Sequence, residues 1–264
     1  MAKIIKKHSA LERECELWKN KGKSDLTKAL VFFIIAIVLG AFCVLGAGLS
    51  LAFPVLSVVF VIIFFILAVC LIASVIFLIK VLYYYNRAKI LALGIKGENR
   101  TADIIADLPE GYYGFQNLNI TYQGKKSEID LVVVGPTGIF VIETKNRNGH
   151  ITGKYEDKEW TQHKIGRGGT PYSSNFYNPV KQVGTHIYRL AHYLRENGAL
   201  VHIDGAVYFS NPETTIAVGT AESAIPVFAA GKGGEKALKK FILSAQNRPS
   251  PNTLLKAYNL LLKL

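Results

Sequence analysis

The sequence predicts an α/β domain, a sheet covered by helices, preceded by a two-helix transmembrane hairpin. Three observations predict it. Residues 29–79 contain no charged side chain. After residue 112 the chain falls into short runs of alternating apolar and polar residues, separated by turns containing Gly and Pro. Residues 178–198 then read as an amphipathic helix, followed by two more strands and two helical segments. Interleaved strands and helices over ~170 residues make one ordinary domain, and both α/β and α+β arrangements satisfy the pattern.

The hairpin comes first. A continuous helix over the uncharged stretch would be ~76 Å long, whereas a bilayer core is ~30 Å thick and takes about 20 residues. Two spans fit. The break is "GAGLSLAFP", residues 46–54, where the glycines weaken helix and Pro54 disfavours helix at the residue before it. The expected spans are 29–49 and 55–79. Lys19, Lys21, Lys23 and Lys28 precede the first, and Lys80, Arg87, Lys89 and Lys96 follow the second. The connecting loop carries no charge, so the positive-inside rule puts both termini in the cytoplasm. A cleaved signal peptide competes with this reading, but its apolar region would be shorter and nearer the start.

Residues 1–28 then form a cytoplasmic lead-in, in which Leu11, Cys15 and Trp18 have the spacing of an interfacial helix. Residues 81–264 form the cytoplasmic domain. The three cysteines, Cys15, Cys43 and Cys70, all lie before residue 80 and make no CxxC. They suggest neither a disulfide framework nor a zinc site. The net charge of +12 serves topology and attraction to anionic lipid, and also suits a polyanion such as nucleic acid.

In the domain, helical periodicity runs from Tyr83–Tyr85, an interfacial aromatic anchor, to Leu108, either unbroken or interrupted at Gly94 or Gly97. "YGFQNLNITYQ", "SEIDLVVVG" and "IFVIETK" are strands, and "HITGKY" is a short fourth. "KEWTQHKIGRGGTPYSSN" reads as a loop-rich insert. Asn178 is the N-cap of the following helix, with Pro179 at its first position and Gly198 closing it. "IDGAVYFSN" and "AIPVFAA" are strands, and helices start near Gly234 and Pro251.

The chemistry concentrates in two strands. In "EIDLVVV", Glu128 and Asp130 share one face while Ile129, Leu131 and Val133 take the other. In "IFVIETK", Glu143 and Lys145 share a face. The short turn at 136–138 makes the two strands antiparallel neighbours, which brings Asp130 within reach of Glu143. Two close carboxylates repel unless a proton or a cation lies between them. Mg²⁺, or Mn²⁺ in its place, is held by one or two carboxylates with water and phosphate, and the Thr144 carbonyl offers a further ligand. Lys145 beside such an ion can stabilise charge on a phosphate oxygen or orient a water. The plain alternative is a strand-end ion pair of little energetic value.

"GIKGENRTADII", "KSEIDLVVVGPTGIFVIETKNRNGHITG", Trp160 and "NPVKQVGTHIYRLAHYL" together resemble the nuclease-related (NERD) domain, which is similar to the PD-(D/E)XK nucleases. The resemblance covers about residues 94–209. It implies a restriction-endonuclease-like core, with a mixed central sheet flanked by helices, and metal-dependent cleavage of phosphodiesters in DNA or RNA. It also implies that Asp130 and Glu143 are the metal acids and Lys145 the motif lysine. Glu98 would be the acid of the preceding helix and Gln182 the polar residue of the following one.

Around these, Gln182, His186 and Arg189 share a helix face. Arg189 suits a phosphate contact, His186 a surface or supporting position, and Glu128 a supporting one. Trp160 suits packing or base stacking. His150 and His163 lack zinc-helix spacing. The "HKIGRGGTPYSS" loop, with Lys164 and Arg167, is no P-loop but could follow a nucleic-acid backbone. The leading expectation is a membrane-anchored, divalent-metal-dependent nuclease whose partners are nucleic acid and the bilayer. Self-association of the hairpin is left open. The rivals are a non-catalytic nucleic-acid-binding module and a membrane scaffold or small-molecule sensor.

Overall fold

The computed structural model describes residues 1–50, 54–166, 168–219 and 225–264. The chain divides into two compact units, one of Leu11–Ala92 and one of Met1–Ala10 with Leu93–Leu264. In chain order the elements are β1 (Lys3–Lys6), α1 (Ala10–Ser50), α2 (Pro54–Ala106), β2 (Tyr113–Tyr122), β3 (Lys125–Gly135), β4 (Gly138–Lys145), β5 (Gly149–Lys154), β6 (Glu159–Ile165), β7 (Pro171–Tyr177), α3 (Pro179–Glu196), β8 (Ile203–Phe209), β9 (Thr214–Gly219), β10 (Val227–Ala229), α4 (Gly234–Leu243) and α5 (Pro251–Lys263).

Unit Leu11–Ala92 is an antiparallel helix pair. Trp18 packs on Tyr84 with ring centroids 5.4 Å apart, and Phe32 stacks on Phe77 at 5.8 Å. Ser74 Oγ donates to the Ala29 carbonyl at 3.1 Å. Away from the seam the surface is apolar and exposed, as at Val61, Phe64, Phe65 and Ile72. A helix that is apolar all round has no water-facing stripe, and both helices are long and apolar enough to cross a membrane. The lead-in and the first apolar stretch are one unbroken helix, and α2 continues through Gly94 and Gly97 to Ala106. Residues 51–53 of the expected break lie outside the described residues.

The other unit is built on a mixed six-stranded sheet of order β1-β2-β3-β4-β8-β10. Strands β2, β3 and β4 form an antiparallel meander, while the β1–β2, β4–β8 and β8–β10 pairs are parallel. On one face Val132 and Val141 pack against Val183 and Leu190 of α3 and Leu261 of α5. On the other, Val133 and Phe140 meet Ile105 from the end of α2 and Leu238 and Ile242 of α4. Helices thus cover both faces, as expected of an α/β layer structure.

Four elements, β1, β6, β7 and β9, differ from the sequence expectation. The segment read as a loop-rich insert is the antiparallel hairpin β6–β7, with Trp160 opposite Phe176. With β5 and β9 it makes a second sheet of order β7-β6-β5-β9. Only Phe176 is buried in β7, so the strand carries no apolar alternation to detect. The N-terminal Lys3–Lys6, read as part of a lead-in, is an edge strand of the main sheet, too short to show a period.

Asn178 fixes how α3 enters. Its side-chain oxygen accepts from Val180 N–H at 2.9 Å, and its amide donates to the carbonyls of Lys154, Tyr155 and Asp157. The cap therefore joins α3 to the β5–β6 turn. Asn178→Ala is expected to cost ~2 kcal/mol, about 1 for the cap and the rest for the lost amide hydrogen bonds to the β5–β6 turn. Asn178→Asp keeps the cap and loses the donors. A denaturant midpoint for Asn178→Asp equal to wild type would show that the cap alone matters.

Candidate active site

The β3–β4 ladder pairs Gly135 with Gly138 through Leu131 with Ile142. One step further, Asp130 faces Glu143 where the ladder ends. There the Thr144 N–H donates to Asp130 Oδ2 at 2.8 Å, so a carboxylate stands in for the next strand carbonyl. The alternation of β3 breaks at this point. Leu131 and Val133 face α2 and α4, but Ile129 joins Val132 on the α3 side. Ile129, Leu131 and Val133 therefore do not share a face. Across from Asp130 on β2, Asn117 has φ +59° and is skipped by the β2–β3 pairing. A left-handed residue kinks the strand there.

Lys145 Nζ donates to Glu143 Oε1 at 2.5 Å and to Gln182 Oε1 of α3 at 3.0 Å. Glu143 is 1 % exposed. Its second oxygen, Oε2, lies 3.5 Å from His186 Nε2. Neither that oxygen nor the ring nitrogens of His186 make a hydrogen bond among the described residues. Thr144 turns to the opposite face, where its hydroxyl donates to Thr101 Oγ1 at 3.0 Å, and Thr101 donates to the Gly97 carbonyl. The end of β4 is so tied to the turn of α2 that carries the buried Glu98.

The charges are unbalanced. Burial pushes the Asp130 carboxyl well above the usual range, and the neighbouring charges of Glu143 and Glu98 push it further. Burial also opposes ionisation of Glu143, but Lys145 and His186 more than offset it and hold Glu143 below its ordinary value. Burial would lower Lys145, but Glu143 and Asp130 raise it, so its ammonium persists. One ammonium serves two facing carboxylates, and Asp130 is the one pushed toward its protonated form. Two carboxyl groups, an unsatisfied Glu143 oxygen and the Thr144 carbonyl fit a hard cation taking one or two carboxylates. Among the described residues, no three His, Cys, Asp or Glu side chains group as metal ligands.

The structure thus brings Asp130, Glu143, Thr144, Lys145 and Gln182 together, with Glu98 near enough to act on Asp130. His186, read from sequence as a surface or supporting residue, is buried against Glu143; its place four residues after Gln182 was the available signal. Arg189 is directed elsewhere, donating to the Lys126 carbonyl and to the Ser127 hydroxyl. Glu128 accepts from the Ala10 N–H. Trp160 is fully buried and donates to the Lys154 carbonyl at 2.8 Å, a packing role that leaves no face for a base. His150 and His163 lie on the outer face of the second sheet, bonded to Thr215 and to Thr152 and Ser173. Arg167 lies outside the described residues.

Residues 93–210 match the family model of the nuclease-related domain, NERD. The matched segment runs from the last turns of α2 to the end of β8 and contains every residue of the cluster. The chain is also similar to an uncharacterised protein of Bacillus anthracis, 36 % identical over 96 residues, which cover 36 % of this chain and 43 % of that protein. The chain therefore spans less than half the length of that curated relative. No solved structure matches the chain.

The Asp130 carboxyl gives the nuclease-related segment a distinctive pH response without divalent cation. A raised folded pKa gives stability that is full below the unfolded value, about 3.9, and is lost as pH rises through the folded value. Glu143 runs the other way and loses its contribution only as pH falls below about 4. From pH 5 to 8 in chelator, wild-type Tm is expected to fall relative to Asp130→Asn, which keeps an acceptor for Thr144 N–H. Each ~1 kcal/mol would appear as about 2–4 °C. Parallel melting curves for the two proteins would contradict a strained Asp130.

Proposed function

We propose that the chain is a membrane-anchored, divalent-metal-dependent nuclease of PD-(D/E)XK type, hydrolysing phosphodiester bonds of DNA or RNA. The observation that carries the reading is the half-buried Asp130 beside the buried Glu143, with Lys145 bonded to Glu143, inside a segment matching the nuclease-related domain. Asp130, Glu143 and the Thr144 carbonyl would hold Mg²⁺ or Mn²⁺, with Glu98 adding negative charge next to Asp130. Such an ion supplies Lewis acidity toward a phosphoryl oxygen and a water of lowered pKa.

The protein's own part is positioning. Lys145 keeps its proton and presents positive charge where a phosphate oxygen gains negative charge. Gln182 fixes the Lys145 ammonium from α3, and His186 stands 3.5 Å from the far oxygen of Glu143. The anchor reading is supported by the two apolar helices, and by the positive-inside rule their flanking lysines and arginines favour cytoplasmic termini. The bilayer, or a second hairpin, would cover the exposed apolar surface of Leu11–Ala92.

Full-length protein in nanodiscs is expected to cleave DNA or RNA oligonucleotides with Mg²⁺ or Mn²⁺. Asp130→Ala and Lys145→Ala should each lose at least about 10²-fold in rate. Absence of cleavage on every nucleic-acid form, or cleavage by the variants at the wild-type rate, would sink the proposal. A second reading, a non-catalytic nucleic-acid-binding module or scaffold, is favoured by the lack of a three-ligand group among the described residues. It predicts salt-dependent binding that survives Asp130→Ala without any cleavage.

A further inference from the structure

Arg147 lies two residues past Lys145, in the 146–148 connection between β4 and β5. Its Nη1 donates to Gln162 Oε1 at 2.9 Å, and its guanidinium lies over the Phe176 ring at 4.2 Å from the centroid. Gln162 is itself fixed. It is 2 % exposed, donates to the Asn148 carbonyl at 2.6 Å and accepts from Ser174 Oγ at 3.4 Å. The guanidinium is thus half-buried and oriented by two strands of the second sheet. Among the described residues no carboxylate pairs with it. One N–H donor serves Gln162, and the others are left for an outside acceptor.

A second cation stands beside it. Burial and the charge of Arg147 both lower the Lys164 pKa, and no acidic partner holds that ammonium among the described residues. The approach of the two depends on Gly149, whose φ is +86° and where a Cβ would stand 2.4 Å from the His163 carbonyl. Only glycine lets the chain pass so close to β6. Lys164 shares a face of β6 with Gln162, the residue that Arg147 bonds, and Lys145 precedes Arg147 by two residues.

We propose that Arg147, with Lys164, forms a subsite for a phosphodiester group of the nucleic-acid strand, next to the phosphate facing Asp130 and Glu143. An isolated anion would need one cation, whereas a strand repeats its charge at each nucleotide and matches a row. A planar guanidinium held edge-out is suited to grip two oxygens of one phosphate. The packing on Phe176 and the bond to Gln162 remove most of the rotamer freedom that an exposed arginine would lose on binding. The inference rests on the reading of the site as one acting on nucleic acid.

The test is binding in chelator, where no metal-dependent cleavage intervenes. Full-length protein in nanodiscs of neutral lipid is titrated against labelled DNA and RNA oligonucleotides over a range of salt, by fluorescence anisotropy. Arg147→Met keeps the apolar stem over Phe176. It is expected to weaken binding about 10-fold and to flatten the slope of log K against log salt by about 0.7–0.9. Arg147→Lys should keep the slope and recover only part of the affinity. Lys164→Met should flatten the slope like Arg147→Met, and Arg189→Met should change neither quantity.

Wild-type affinity and slope in an Arg147→Met protein with an unchanged melting curve would overturn the subsite, as would wild-type protein that binds no oligonucleotide. The two proposals fail separately. Flattened slopes without cleavage under Mg²⁺ would leave the subsite and remove the nuclease. Cleavage with unchanged Arg147→Met binding would do the reverse.

Discussion

The organisation of the unit formed by Met1–Ala10 and Leu93–Leu264 depends on a half-buried and a buried carboxylate, Asp130 and Glu143, set beside a single ammonium. Burying an unpaired charge is costly enough that a protein arranges partners or neutralises the group. Here both responses occur. Glu143 takes the lysine, with the histidine close by, and is held toward its charged form, while Asp130 takes a backbone N–H and is pushed toward its protonated form. The surroundings serve that division. Thr144 and Thr101 tie the strand end to α2, and Gln182 and His186 reach in from α3. The α3 helix is in turn pinned by Asn178 to the β5–β6 turn. The second sheet thereby helps to set where Lys145 points, although it contributes no residue to the acidic pair.

Much of this was legible in the sequence because it rests on local periodicity. The apolar run of "IFVIETK" followed by charges two apart placed Glu143 and Lys145 on one face, and the short turn at 136–138 set the register that puts Asp130 opposite. Asn178 and Pro179 marked the start of α3 by the ordinary chemistry of caps. What was missed rests on long-range contacts. Nothing in "EIDLVVV" announces that its alternation breaks, because the cause is Asn117 on the neighbouring strand. Strands β6 and β7 bury one apolar side chain each, Trp160 and Phe176, and of its apolar residues β9 turns only Ile216 and Val218 inward. The burial of His186 is set by Glu143, which belongs to another element, so a polar helix face looked like a solvent face. Arg147 sits outside any strand, and its pairing with Gln162 and Phe176 exists only once β6 and β7 are recognised.

The acidic pair and the cationic edge carry opposite deficits a few residues apart. The pair lacks a positive charge, and burial with the charge of Glu143 pushes the Asp130 carboxyl up. The edge lacks a negative one, which is why Arg147 spends a single donor on a neutral amide. A free metal ion would answer the first deficit and add to the second. A free anion would do the opposite. A phosphodiester strand accompanied by a hard divalent cation answers both, because the cation faces the carboxylates while successive phosphates meet Lys145, Arg147 and Lys164. On the proposed reading, substrate and cation are therefore complementary to the site as a pair, and each should bind better in the presence of the other. Removing Arg147 would then weaken the hold on the strand directly and the hold on the cation only through it.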